Sequence, residues 1–150
     1  MHLDKYEYLA DQTFASFIFQ SNGPRGPIRK IVNYQEVFPF PDGRPVINLG
    51  FGDWDEDIEK VDDSILSNNQ DRDKVLATIA STIVEYTDIH GKIPIYAQGN
   101  TPAKTRLYQM AMNAHLHDIE QLFWVFGLSK GNWIKFEPGI NFEAFMVIRK

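Results

Sequence analysis

The chain has 150 residues, 43% of them apolar, and a formal net charge of −5; that length suits one domain around one core. It contains no cysteine, which excludes disulfides, thiolate metal sites and cysteine nucleophiles and fits a reducing compartment. No apolar stretch reaches the roughly 18 residues of a membrane span, and the charged start from Met1 to Glu7 lacks the apolar run of a signal peptide, so the expected setting is cytoplasmic, away from membranes.

In chain order, residues 13–20 (TFASFIFQ) are aromatic and β-branched, and Ser21 to Pro27 follow as turn chemistry. Residues 28–37 then alternate in part, so the two runs predict a β-hairpin. Residues 45–54 (PVINLGFGDW) predict a third strand, in which Gly50 and Gly52 suggest a bulge or a close backbone approach. An acidic turn leads to a short return strand within residues 60–67. Residues 71–90 predict the first helix, because Val75, Leu76, Ile79, Ala80, Ile83 and Tyr86 recur at helical spacing. Asn68 or Asn69 can cap its start, and Gly91 stands where a C-terminal glycine belongs. Residues 92–98 (KIPIYAQ) predict a short buried strand, and residues 102–123 a second helix about 33 Å long. Three closing strands follow at 124–128, 133–137 and 142–149.

The expected fold is therefore an α+β (mixed α/β) domain spanning residues 1–150. It has a mixed, largely antiparallel sheet and two long helices in the order β-β-β-(β)-α-β-α-β-β-β. The same opening order occurs in ribonuclease-H-like domains. Their two-metal chemistry needs acids on the first strand and near the fourth, and residues 14–20 and 93–99 hold none, so no two-metal nuclease is expected.

Charge is segregated along the chain. Residues 12–35 and 89–117 contain no acid, whereas Asp53, Asp55, Glu56, Asp57, Glu59, Asp62 and Asp63 crowd together against Lys60 alone. As a calcium loop this acidic run fails, because Ile58 stands at the glycine position and Ser64 at the position of the final acid. His115 and His117 are two apart on a helix and cannot share a metal, so no metal site is expected. No Walker loop, dinucleotide fingerprint or zinc pattern is present, and no cofactor is expected. No acid–base pair or nucleophile triad is readable either, which leaves an enzymatic role without named residues.

The junction of strand and second helix holds the best candidate surface. Thr101 is a good N-cap, Pro102 is the favoured first helical residue, and Gly99 permits a tight turn or a close ligand approach. Free N–H groups at such a helix start attract anions. With Leu107, Ala111, His115 and Leu122 on the core side, Lys104 shares that phase and is the preferred ligand-facing charge. Arg106 then projects to solvent as a rim or partner contact. The candidate ligand set is Gln98, Gly99, Asn100, Thr101, Lys104 and Arg106, with Arg72 from the first helix. The expected ligand bears phosphate or another anion, such as a nucleotide or a nucleic-acid end. The alternatives are a capped helix start that binds nothing and a protein-interaction module, for example in a two-gene bacterial stress or defence system, using the charge-segregated faces.

Three segments carry a family resemblance: residues 51–55 (FGDWD), 67–77 (SNNQDRDKVLA) and 98–108 (QGNTPAKTRLY), with the closing 142–150 (FEAFMVIRK). They are similar to a family of small uncharacterised bacterial proteins, mainly of Bacteroidetes. The resemblance implies serine near Asn100 and arginine near Lys104. Here asparagine and lysine keep hydrogen bonding and charge but lose a bidentate fork. It implies no activity and supports the one-domain expectation.

Overall fold

The computed structural model describes residues 4–37, 43–55, 60–62 and 69–150. The elements run β1 (Tyr8–Ala10), β2 (Ser16–Gly23), β3 (Gly26–Val37), β4 (Val46–Asp55), β5 (Lys60–Asp62), α1 (Arg72–His90), β6 (Ile95–Ala97), α2 (Pro102–Ala114), α3 (Leu116–Leu122), β7 (Phe123–Ser129), β8 (Asn132–Lys135) and β9 (Ala144–Arg149). The strands form one mixed sheet in the order β1-β2-β3-β4-β6-β9-β7-β8, with β5 paired to β4. Among the described residues only β4 and β6 pair in parallel; the other pairs are antiparallel. The α+β architecture with a largely antiparallel sheet is as the sequence predicts.

Alternation decides which face of the sheet is buried. Phe17 lies opposite Val32, and Val32 opposite Phe51. Ile47 lies beside Ile95, which in turn faces Val147 and Val125 through β9. This row shares one apolar cluster with Ala80, Ile83 and Tyr86 of α1, Met112 of α2 and Ile119 of α3. Both helical connections therefore cover the same face. α1 links β4 to its parallel neighbour β6. The pair α2–α3 links β6 to β7, with β9 antiparallel between them. The start of α2 thus lies beyond the C-terminal end of β6, the second of the two parallel strands.

Several local expectations are corrected. The second helix is not continuous over 102–123. It breaks at His115, which has φ −126° and serves as last cap of α2 and first of α3. Asn113, His115 and His117 are weak helix formers, and the His115 ring reaches back to α1, with Nε2 2.9 Å from Asp73 Oδ1. Asn69 does not cap α1. Its side chain is buried, donating to Gly26 O at 2.9 Å and to Ser21 Oγ at 3.1 Å and accepting from Arg25 N–H at 2.8 Å. The N-cap position belongs to Asp71, whose carboxylate instead accepts from Tyr6 Oη at 2.6 Å and Ser21 Oγ at 2.5 Å. Asn68 lies outside the described residues. These bonds tie the β2–β3 hairpin and the N-terminal segment to the head of α1. Gly91 does close α1, with φ 102° and its N–H on Thr87 O. β1 was not predicted; the return strand is β5, three residues long, and the rest of the expected run lies outside the described residues.

Candidate functional site

α2 begins three residues beyond the end of β6 plus its cap, and the sequence dictates how. Thr101 is extended (φ −134°, ψ 156°) and its Oγ1 accepts the Lys104 N–H at 3.1 Å. Thr105 N–H closes the first helical bond to Thr101 O at 3.1 Å. Thr105 Oγ1 accepts the Gly99 N–H at 3.0 Å and donates back to Thr101 O at 3.2 Å. Pro102 has no N–H, so Ala103 supplies the remaining backbone donor of the first turn. Gly99 is needed for this packing: a Cβ there would stand 2.5 Å from Thr105 N and 2.8 Å from the Lys104 carbonyl carbon. The close backbone approach at Gly99 is to the first turn of α2.

A second wall comes from the loop before β9. Gln109 is buried on α2, and its amide grips that loop at two points. Nε2 donates to Ile140 O, and Oε1 accepts the Phe142 N–H at 3.0 Å. The Phe142 ring lies flat against Gly127 of β7, where a Cβ would meet it at 2.2 Å. Glu143 N–H bonds Leu128 O at 2.8 Å, and its carbonyl accepts from Gln98 Nε2 at 3.1 Å. Gln98 Oε1 in turn accepts from Tyr96 Oη at 2.9 Å.

Between these walls lies an open cleft of about 470 Å³. Gln98, Asn100, Thr101 and Arg106 line it on one side, Asn141 and Glu143 on the other. Its volume is that of a small-molecule site. Its lining includes one basic and one acidic residue, Arg106, whose guanidinium can fork onto an oxyanion, and Glu143, whose carboxylate can accept from a donor.

The chain matches one described family over residues 2–150, a family of unknown function, DUF6934. The chain belongs to DUF6934. No curated protein and no solved structure matches it.

Within this DUF6934 chain the candidate residues divide into three places. Gln98, Gly99, Asn100, Thr101 and Arg106 come together at the cleft. Lys104 does face the core side, as its phase predicts, but it is 5% exposed and is not on the cleft wall. It projects with Tyr108, one turn on, whose ring lies 6.5 Å from Phe51. Phe51 also sits 5.6 Å beneath the ammonium of Lys30, which pairs with Asp53 at 2.5 Å. Lys104 is thus buried on the sheet-facing side of α2, away from the cleft wall. Leu107, assigned to the core, is 43% exposed. The buried stripe of α2 is Lys104, Thr105, Gln109, Ala111 and Met112, so polar residues hold the inward face.

Arg72 is not brought to the cleft. It is exposed on the first turn of α1, with Nε 3.5 Å from Asp73 Oδ1. Asp73 meets His115 at the far end of α2, roughly 20 Å of helix away from the junction. The hydrogen bond from His115 holds the Asp73 carboxyl below the usual range. Gln109, Asn141 and Glu143 had not been singled out. The available signal was Thr105 and Gln109 one turn apart, in phase with the apolar Met112, which marks side chains working inside the protein. Among the described residues no three His, Cys, Asp or Glu side chains gather as a metal site, and no helix is long and apolar enough to cross a membrane.

Proposed function

We propose that the cleft between the head of α2 and residues 140–143 binds a small ligand carrying phosphate or another anionic group, such as a nucleotide or a nucleic-acid end. The observation that supports it is Arg106, exposed on the wall of a cleft at the first turns of α2. The helix dipole and the Ala103 N–H add to the positive potential there. Glu143 across the cleft favours ligands that also carry a hydrogen-bond donor over bare polyanions. The charge we assign to the ligand is thus that of Arg106, in place of Lys104. The setting we infer is bacterial and cytoplasmic, resting on the family resemblance and the cysteine-free composition.

Inorganic phosphate and nucleoside mono-, di- and triphosphates should be screened by thermal shift. A ligand at about 100 times its Kd adds about 2.7 kcal/mol of stability. The expected result is stabilisation by at least one phosphate compound that Arg106→Ala removes while the unliganded melting temperature stays unchanged. No shift with any anion, or an equal shift in Arg106→Ala, refutes the assignment.

A second reading, the protein-interaction module, is favoured by the opposite edge of the sheet. Leu9 of β1 is 78% exposed and pairs with Ile18 of β2, itself exposed on the same face. Edge strands with bare apolar side chains invite a partner. Leu9→Lys should then abolish co-purification of a bound protein or a dimer on gel filtration; a monomer for the unaltered chain and no companion counts against it.

A further inference from the structure

The face of the sheet turned away from the helices carries a different chemistry in its C-terminal half. Strands β6, β7, β8 and β9 contain no aspartate or glutamate. Alternation puts Trp124, Phe126 and Leu128 of β7 on this face, since Phe123, Val125 and Gly127 are buried on the other. Register adds Trp133 beside Leu128, Lys135 beside Phe126, Met146 beside Phe126, and Tyr96 beside Met146. Trp124 is 57% exposed and Trp133 36% exposed. Tyr96 and Trp133 meet edge to face at 6.0 Å although β9 and β7 separate their strands. Both side chains must therefore reach across the intervening strands on this face. Lys150 places its ammonium 4.3 Å over the Trp124 ring. Lys130 stands in the turn between β7 and β8.

We infer that this aromatic, lysine-bearing face binds single-stranded nucleic acid, with bases stacked on Trp124 and Trp133 and phosphates met by Lys130, Lys135 and Lys150. Exposed tryptophans on a sheet are a stacking platform for any base, because every base presents a π face, and the Lys150 ammonium over Trp124 can move to a phosphate when a base takes its place. The two indoles are four positions apart along β7, about 13 Å, with Lys135 between them. A net charge of −5 opposes polyanion binding in general, and Glu137, exposed just beyond β8 and level with Trp124 in the β7–β8 register, stands beside this face. The acids within the sheet strands lie elsewhere, Glu36 in β3, Asp53 and Asp55 in β4 and Asp62 in β5, and Lys130, Lys135 and Lys150 outnumber Glu137 here. The charge pattern thus complements a phosphate backbone at this face and repels it at others. A protein partner would need apolar area matched in shape; stacking needs only the exposed rings and cations that are present. The face does not depend on the Arg106 cleft, although Tyr96 and Gln98 join the two.

The test is fluorescence anisotropy of a labelled oligothymidylate titrated with the protein, with intrinsic tryptophan quenching read in parallel. Binding at low salt is expected, weakening with a log–log salt slope of about −2 for three phosphate contacts on a single strand. Trp124→Ala and Trp133→Ala should each weaken binding roughly tenfold, and Trp124→Phe should restore most of it. Arg106→Ala should leave quenching intact, which separates this face from the cleft. Absence of binding at low salt overturns the inference. So does binding that ignores the tryptophan variants, which would show a polyanion effect alone, and so does equal affinity for duplex. Self-association or a protein partner abolished by Trp124→Ala, without oligonucleotide binding, would reassign the face.

Discussion

Replacing Gly127 by alanine is expected to destabilise the protein by about 3 kcal/mol, at the upper end of overpacking costs. The added methyl would lie 2.2 Å from Phe142 Cδ1, 2.4 Å from Cγ and 2.6 Å from Cε1. The ring cannot retreat easily. It is buried, packs against Phe136 at 5.2 Å and Phe145 at 6.5 Å, and its backbone N–H is held by Gln109 Oε1. A urea midpoint lowered by about 1–2 M is the expected readout. Phe142→Ala alone should cost about 3–5 kcal/mol. In that background the extra methyl has room, so Gly127→Ala should then cost little, giving a coupling of about 2 kcal/mol or more. Simple additivity of the two costs would show that the glycine is not there to seat the ring. The same pair bears on the cleft, because Phe142 and its neighbours form one wall. A ring pushed off β7 displaces Asn141 and Glu143, its neighbours on the cleft wall, so any ligand affinity should fall with stability.

The parts of this site that could be read in advance are those with local chemistry. Thr101-Pro102 marks a helix start wherever it occurs, and the structure has the Thr101 hydroxyl on the Lys104 N–H. The β2–β3 hairpin and the three closing strands have turn residues and alternation of their own. The far wall of the cleft has neither. It is assembled by Gln109 reaching a loop more than thirty positions away in the sequence, |i−j| 33 to Phe142, and by β9 inserting between β6 and β7. Nothing in residues 138–143 announces that contact.

Periodicity also misled where polar residues face inward. On α2 the hydrophobic stripe points to Leu107, yet the helix buries Thr105 and Gln109 because their side chains bond the Gly99 and Phe142 backbone there. Asn69 is the same case. It looks like a cap and is spent on Ser21 and Gly26 instead, a choice made by the β2–β3 hairpin lying against the head of α1. β1 escaped notice because three residues carry no period of their own; its pairing with Phe17, Ile18 and Phe19 defines it.

Stability is expected to fall steeply once the pH passes about 10. Five of the six tyrosines, Tyr6, Tyr8, Tyr34, Tyr86 and Tyr96, have phenols pushed above their ordinary value. Burial is the main cause in each case, reinforced by the Asp71 carboxylate at Tyr6 and by Glu85 at Tyr8. A phenol held neutral in the fold contributes fully below about pH 10, where the unfolded chain is also protonated. That contribution is lost as the pH rises from there toward the folded pKa, because only the unfolded chain then gives up its proton. Tyr34 should dominate: it is 5% exposed, stacks on Tyr86 at 4.3 Å and shares a 2.8 Å hydrogen bond with Thr82. One such group costs about 1 kcal/mol between about pH 10 and 11, and the other four add smaller amounts in proportion to their burial. Urea midpoints across this range, with phenolate absorbance followed alongside, measure the effect. Tyr34→Phe should flatten the decline, and Thr82 keeps its bond to Ile79 O at 2.8 Å in that variant. Phenols that ionise near pH 10 in the folded protein, with midpoints unchanged, would mean these rings are open to water. The network that binds Tyr6 to Asp71 and Ser21, and with it the N-terminal segment to α1, would then have to be held by packing alone.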